Sequence, residues 1–337
     1  MKRFINFLKT DIKIINSYFL LLIILIILVC IGYSSYALFS FSKTSTNIIE
    51  GTVGEIKKSG ADTLIKLTDN KDNSGLYTIT HEADSTLQIG TNESITEYRY
   101  RGASPKNYVT FNNEVWRIIG IFPVDDGTGK IESRIKIVRN DSAFSQYWDQ
   151  NRSNNWTNSW LRSYLNNYLG TNAYLDSIIE KNKLMIGDAK YYLGGYSSTY
   201  VTKEDMYKYE RKISGSDYYS GTNPNSWTGK IALMYASDCG YAVSDECTQT
   251  LWNYNNSLCK SNSWLYNTQH EWLLNQSTNS LSGAFQYLGS GIINYYNGNN
   301  NYSTNTKLYI RPTLYLVSFT KITGGSGTST DPYTFGL

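Results

Sequence analysis

Histidine is almost absent from this 337-residue chain: it has two, His81 and His270. Neither sits in a His-Glu-x-x-His pattern, which excludes a zinc protease of that type. No Gly-x-Ser-x-Gly elbow is present, so a histidine-dependent triad has no activated serine to serve. Each histidine precedes a glutamate, Glu82 or Glu271, and each pair reads as a surface or turn feature. Charge is scarce as well: 18% of residues are Asp, Glu, Lys or Arg, so the surface must be built mainly from Asn, Ser, Thr, Gly and Tyr. Cysteine is limited to four. Cys30 lies in an apolar run, which leaves Cys239, Cys247 and Cys259, an odd number. The favoured pair is Cys247–Cys259, which closes a short polar loop, with Cys239 buried and free; Cys239–Cys247 and Cys239–Cys259 are the alternatives.

One long run is uncharged: Ile14 to Ser42. A bilayer core needs about 20 predominantly apolar residues as a helix, and Tyr18–Phe39 supplies them, densest at Leu20–Ile31. Lys2, Arg3, Lys9 and Lys13 precede it against one acid, Asp11. By the positive-inside rule the N-terminus is cytoplasmic and everything from Lys43 is outside. The expected organisation is a single-pass anchor over 1–42, a stalk or small β module over 43–97, the main ectodomain over 98–316 and an extended tail over 317–337. Ser35-Tyr36-Ala37 has the small-residue spacing that signal peptidase reads, but the apolar core is long for a signal peptide, so an uncleaved anchor is expected.

The overall excess of three positive charges belongs to that tail. Residues 1–42 carry four basic residues and one acid; without them the chain has 27 of each. A neutral ectodomain excludes nucleic acid as the expected partner, because nonspecific phosphate affinity needs clustered positive charge. Aromatic residues are plentiful at 15%, including 30 Tyr, and they offset a modest apolar content in building a core.

Polar turns alternate with short β candidates in the first part of the ectodomain: Asn47–Ile56, Thr63–Leu67 and Gly75–Thr80. Asp69–Gly75 has the look of a calcium loop, but Lys71 stands where the third ligand belongs and Thr80 where a Glu is needed, so it reads as a turn. Tyr108–Phe111 and Glu114–Phe122 form a hairpin on Asn112-Asn113, followed by a strand at Arg134–Arg139; the middle strand, apolar on both faces, belongs inside the sheet. The period then turns helical at Trp156–Gly170 and again from Thr171, with a short helix at Lys203–Tyr209. Strands return at Lys230–Ser237, His270–Leu274, Ala284–Leu288, Ile292–Tyr296 and Leu308–Leu316. This order predicts an α+β fold, helices packed on an antiparallel sheet.

Segments Tyr98–Arg101, Asn113–Ile119, Arg134–Asp141, Trp160–Leu165, Gly229–Asp238, Ile310–Leu316 and Gly324–Tyr333 occur in this order. Together they resemble a family of uncharacterised cell-surface domains from Gram-positive gut bacteria, whose members carry a membrane segment and a junction like Tyr36-Ala37-Leu38-Phe39. That family is similar, more distantly, to the C-type-lectin-like fold shared with formylglycine-generating enzymes. The resemblance implies a C-type-lectin-like antiparallel sheet with two helices and long loops, used for display or binding. The enzymes depend on paired cysteines late in the domain; no cysteine follows Cys259, so their activity is not expected here. Trp252-Asn253 is followed by Tyr254 where a calcium-binding lectin has an acid, so that type of calcium site is not expected either.

The candidate ligand-binding residues are the aromatics in or beside polar loops: Tyr196, Tyr200, Tyr218, Tyr219, Trp227, Tyr295, Tyr296 and Tyr302. Tyrosine offers amphipathic contact area with few torsions to freeze, while Ser, Gly and Asn supply adaptable hydrogen bonds. The bland alternative is that these rings pin loops to the core. The expectation is a membrane-anchored, adhesin-like surface protein that recognises an extracellular glycan or protein, with no catalytic residue, cofactor or metal. The competing readings are an extracellular glycan- or cell-wall-acting enzyme working through carboxylates such as Asp238, Asp245 and Glu246, and a structural surface subunit.

Overall fold

A computed structural model describes residues 58–166, 173–213, 222–278, 280–295 and 303–337, together with Ile26. The chain divides into two compact units, Met1–Lys57 and Lys58–Leu337. Apart from Ile26, the expected membrane segment lies outside the described residues. No helix among the described residues is long and apolar enough to cross a membrane.

Ser59 opens helix α1, Gly60–Ile65: its side chain accepts the Asp62 amide, and Asp62 lies in the first turn, where the helix dipole favours an acid. The strand expected at Thr63–Leu67 is therefore replaced by helix, the cap outweighing the β-branched residues. Strands β1 (Gly75–His81) and β2 (Ile95–Arg101) pair antiparallel along their whole length. Strands β3 (Tyr108–Phe111) and β4 (Glu114–Asp125) form the expected hairpin. Asn112 and Asn113 both take left-handed φ, 57° and 58°, as a two-residue turn matched to sheet twist requires. Strand β5 (Ile131–Arg139) covers the other edge of β4. Trp116–Phe122 is buried throughout, as an inside strand should be.

Strand β6 (Phe144–Tyr147) follows. The first expected helix is a 3-10 turn at Trp156–Asn158 and helix α2 (Trp160–Asn166). The second is shorter than its periodicity predicts: a 3-10 turn at Tyr174–Ser177, then the single turn α3 (Glu180–Lys183). Strand β7 (Ala189–Tyr192) precedes helix α4 (Lys203–Arg211), which Thr202 caps, and β7 pairs with β8 (Ser226–Gly229). The strand expected over Lys230–Ser237 is confined to β9 (Ile231–Ala232), because Asp238 Oδ2 accepts the Tyr235 amide at 2.9 Å and starts helix α5 (Ala236–Tyr241). Helix α6 (Ser257–Ser261) and strands β10 (Glu271–Gln276), β11 (Ala284–Tyr287) and β12 (Ile293–Tyr295) come next. The strand expected at Leu308–Leu316 is split into β13 (Lys307–Ile310) and β14 (Thr313–Tyr315) around Pro312, which has no amide to give a ladder. The tail forms a final antiparallel pair, β15 (Lys321–Gly324) and β16 (Tyr333–Gly336).

The result is an α+β fold, rich in sheet and poor in helix. Nine strands form one sheet, in the order β15-β16-β3-β4-β5-β14-β9, with β2 on β4 and β1 on β2. Five form a second, β12-β11-β10-β13-β6, in which β10 and β13 are parallel. Residues 75–101 and the tail thus both contribute strands to the large sheet. Helix α5 is buried at every residue and touches β2 of the large sheet and β10 and β11 of the smaller one, while α2 touches β9 and β6, so both helices bridge the two sheets. Trp116, Trp148, Trp156 and Trp272 are fully buried.

Gly120 lies opposite Arg99 where β2 meets β4, and a Cβ there would sit 2.1 Å from the Tyr98 carbonyl oxygen. Gly120→Ala is therefore expected to force the two strands apart and to cost about 3 kcal/mol. Gly324→Ala on the edge strand, with Thr334 Oγ1 its nearest neighbour at 3.3 Å, should cost little. Thermal unfolding of the two variants side by side checks this; equal midpoints would refute the close approach.

Candidate functional site

Tyr218, Tyr219, Tyr296 and Tyr302 lie outside the described residues. The other four expected aromatics divide by what they touch. Trp227 on β8 is stacked on Tyr191 at 5.6 Å and meets Trp156 edge-on at 6.0 Å, so it pins the β7–β8 pair to the core. Tyr196 is stacked on Tyr209 of α4 at 3.9 Å. Tyr295 is stacked on Phe285 at 5.5 Å and its hydroxyl donates to the Ser197 carbonyl. These three hold chain to chain. Tyr200 is different: it is 65% exposed, and its ring lies 5.3 Å from that of half-buried Trp252.

The Tyr200–Trp252 pair rests on two braced loops. The first runs from Gly194, whose amide donates to the Glu210 carbonyl at 2.9 Å. A Cβ on Gly195 would lie 1.7 Å from the Gln276 carbonyl oxygen, so the loop passes against β10 as only glycine allows. Tyr196 bridges to Ser277, and Tyr295 holds Ser197. The second loop is closed by the Cys247–Cys259 disulfide, the favoured pairing, while Cys239 is free and buried. Trp252 lies inside that closed loop, in a 3-10 turn at Leu251–Asn253. The loops join through two backbone bonds, Leu251 N to Val201 O at 3.1 Å and Trp252 N to Thr199 O at 3.0 Å. Trp252 is the residue that the choice of loop tyrosines missed; a tryptophan in a polar, cysteine-flanked loop was the available signal.

Along the same two chains lies a cavity of about 190 Å³, lined by Thr202, Lys203, Glu204, Asp245, Thr248 and Gln249 among others. Asp245 has 60% of its side chain exposed yet is held by two largely buried cations, Arg101 and Lys203. Partial burial pushes its carboxyl up, but the Arg101 hydrogen bond and the Lys203 charge outweigh this and hold it below the usual carboxylate range. Arg101 is itself fixed over the Tyr77 ring at 3.9 Å.

A second cluster is buried, with half-buried His81 at its edge. Asp238 Oδ1 accepts from Arg99 Nη1 at 2.8 Å and Oδ2 from Lys136 Nζ at 2.5 Å. Arg99 Nε also donates to Glu97 at 2.5 Å, and Glu97 faces His81 Nε2 at 3.0 Å. Arg211 pairs with Glu210 at 2.8 Å, and Glu210 accepts the Ser237 amide at 2.9 Å. His81 is stacked on Tyr207 at 3.7 Å, with Arg211 over the same ring at 3.6 Å. Burial pushes the Glu97 carboxyl up, but Arg99 and His81 outweigh it and bring it down to about 2. Burial alone dominates at Glu210, which is raised, and at Lys136, which is lowered.

Two surface readings are corrected. His81 partners Glu97 rather than Glu82, and Glu271 is buried against Arg311 at 2.8 Å. Of the acids weighed for catalysis, Asp238 has no exposed side chain and cannot meet a substrate, and Glu246 takes bonds from Asn73 and Asn262. The Asp69–Gly75 segment is a turn: Asp69, Asn70 and Asp72 accept the backbone amides of Lys71, Thr78 and Ser74. No group of three or more His, Cys, Asp or Glu side chains among the described residues is placed to hold a metal ion. No protein-family model, no curated protein and no solved structure matches this chain.

Because Glu97 ionises near 2 in the fold against an ordinary value of 4.5, its stabilisation is present above pH 4.5 and fades as pH falls toward 2. Glu97→Gln is expected to flatten the acid limb of stability over that interval. At neutral pH it should cost about 1–3 kcal/mol, because buried Arg99 loses one of its two carboxylate partners and keeps Asp238. Urea unfolding at stepped pH measures both, and an unchanged acid limb would refute the assignment.

Proposed function

We propose that the chain is a membrane-anchored cell-surface protein whose ectodomain binds an extracellular glycan or protein through exposed loop aromatics. The single observation that carries this reading is the Tyr200–Trp252 pair, a solvent-facing aromatic platform on loops braced by a disulfide, a tyrosine stack and two backbone bonds. Aromatic rings left exposed cost solvation, while rings already fixed in place lose little entropy when a ligand stacks on them. The uncharged segment at 14–42 and the basic residues before it support the anchor and its orientation.

The family and fold proposed are those of the Gram-positive surface domains named above, with a C-type-lectin-like ectodomain. What supports this is the mixture of largely antiparallel sheet, short helices and long loops, together with the ordered motifs; it is an analogy at the level of fold. The hydrolytic reading has less support, since Asp238 is sealed in the core and Asp245 is already engaged by two cations. In a structural subunit the platform would be an assembly contact.

The test is binding of the full-length chain, held in detergent micelles, to arrays of glycans, cell-wall fragments and extracellular proteins. Saturable binding is expected, weakened about tenfold or more by Tyr200→Ala and by Trp252→Ala, a loss typical of a buried aromatic anchor. Trp227→Ala should lower thermal stability without that selective loss. Binding that ignores Tyr200 and Trp252 would refute the platform.

A further inference from the structure

We propose that the cavity beside the aromatic pair is a hydroxyl-recognising subsite that selects neutral, polyhydroxylated glycans and rejects anionic ones; this rests on the binding reading above. The cavity and the platform are built from the same two chain segments. Tyr200 is two residues before Thr202, Trp252 is three after Gln249, and the segments are bonded to each other at Thr199 and Val201. Gly240 of α5 lets them close together: a Cβ there would lie 2.6 Å from Lys203 Cβ and 3.0 Å from Leu251 Cδ2. A volume of about 190 Å³ falls below the range of about 300–1,000 Å³ that takes a drug-sized ligand, so it suits one ring of a longer chain.

The lining decides which ring. Asp245 and Glu204 present carboxylate oxygens, and Thr248 and Gln249 add neutral donors and acceptors. The one ammonium, Lys203, lies at 3.5 Å from Asp245, and the guanidinium of Arg101 is on the same carboxylate. Both nearby cations are thus committed, and the subsite shows a ligand more acceptor than donor. Sugar hydroxyls donate to carboxylates in charge-assisted bonds, which are shorter and stronger than neutral ones. A carboxylate, sulfate or phosphate on the ligand would face Glu204 and Asp245, and the cations nearest the cavity among the described residues, Lys203 and Arg101, are both already paired with Asp245. The clamp gives Asp245 one orientation, so little entropy is lost when a hydroxyl docks.

The experiment uses the full-length chain in detergent micelles with four probes. Two are neutral, a β-1,3-glucan hexasaccharide and a mannan oligosaccharide; two are anionic, an oligogalacturonate and a poly(glycerol phosphate). The expected result is saturable binding of a neutral probe and none of either anionic probe. Glu204→Gln should weaken neutral binding severalfold, and Asp245→Asn about tenfold. Because Asp245 also balances Arg101, Glu204→Gln is the decisive variant wherever Asp245→Asn lowers the melting temperature. Anionic binding that depends on Tyr200 and Trp252 would overturn the selectivity and leave the platform standing. Neutral binding indifferent to Glu204→Gln in a stably folded protein would overturn the subsite. Failure to bind any of the four overturns the neutral-glycan assignment. If the glycan and protein arrays also stay blank, the binding reading falls with it.

Discussion

The fold turns on one carboxylate. Asp238 sits where α5, β2 and β5 meet, taking Arg99 from β2, Lys136 from β5 and the amide of Tyr235. A carboxylate taken out of water is costly unless it is paired and fully hydrogen-bonded, and here two cations and a backbone amide meet that need. From Arg99 the network continues to Glu97, and from Glu97 to His81 on β1. Beside it, Glu210 and Arg211 tie α4 to the first turn of α5 through Ser237. Hydrophobic residues of similar volume could pack this space, but they would not specify which strand faces which helix. The ion pairs link β1, β2, β5 and α5 to one another, so moving any of these elements would part a buried charge from its partner.

Tyrosine does two kinds of work in this fold. Tyr191, Tyr207, Tyr235 and Tyr315 are core rings whose hydroxyls burial holds in the neutral form. Tyr235 uses its hydroxyl to take the Tyr192 amide at 2.7 Å, and Tyr191 donates to the Lys230 carbonyl at 3.1 Å. Tyr196 and Tyr295 are half-buried, each stacked on one ring, Tyr209 or Phe285. A loop-rich domain with few charges needs such rings, because long polar segments have no apolar stripe of their own to bury. Tyr200 stands apart because its own ring is mostly exposed while it rests on a half-buried partner.

What could be read beforehand follows from how local the cause is. The Asn112-Asn113 hairpin needs only two left-handed residues between apolar runs, and both are visible in order. The Cys247–Cys259 bridge closes a short loop, a cause that lies within the loop itself. Where the cause is distant, the reading slipped. Lys230–Ser237 has the composition of a strand, yet after Ala232 it becomes a helix whose first turn is fixed by an acid that Lys136 and Arg99 hold from other strands. Thr63–Leu67 lost to the Ser59 cap, a signal present in the sequence and outweighed there by β-branched residues. His81 looked like half of a surface pair with Glu82; its real partner, Glu97, comes from the neighbouring strand, in register two residues from its own end.

The same distinction explains why the platform was only half legible. Tyr200 could be chosen because exposure of a tyrosine in a polar loop is a local expectation. Trp252 could not be joined to it, since the two are 52 positions apart and meet through backbone bonds that no periodicity announces. What brings them together is the core: α5 carries Gly240, whose bare α-carbon lets the start of α4 and the Leu251 turn close over it. The buried ions seat α5, α5 seats both loops, and the disulfide and the Tyr196 stack remove the freedom that is left. A surface site whose two halves are positioned from the same buried helix keeps its geometry as long as the core is folded. The aromatic pair is therefore a property of the whole domain rather than of either loop.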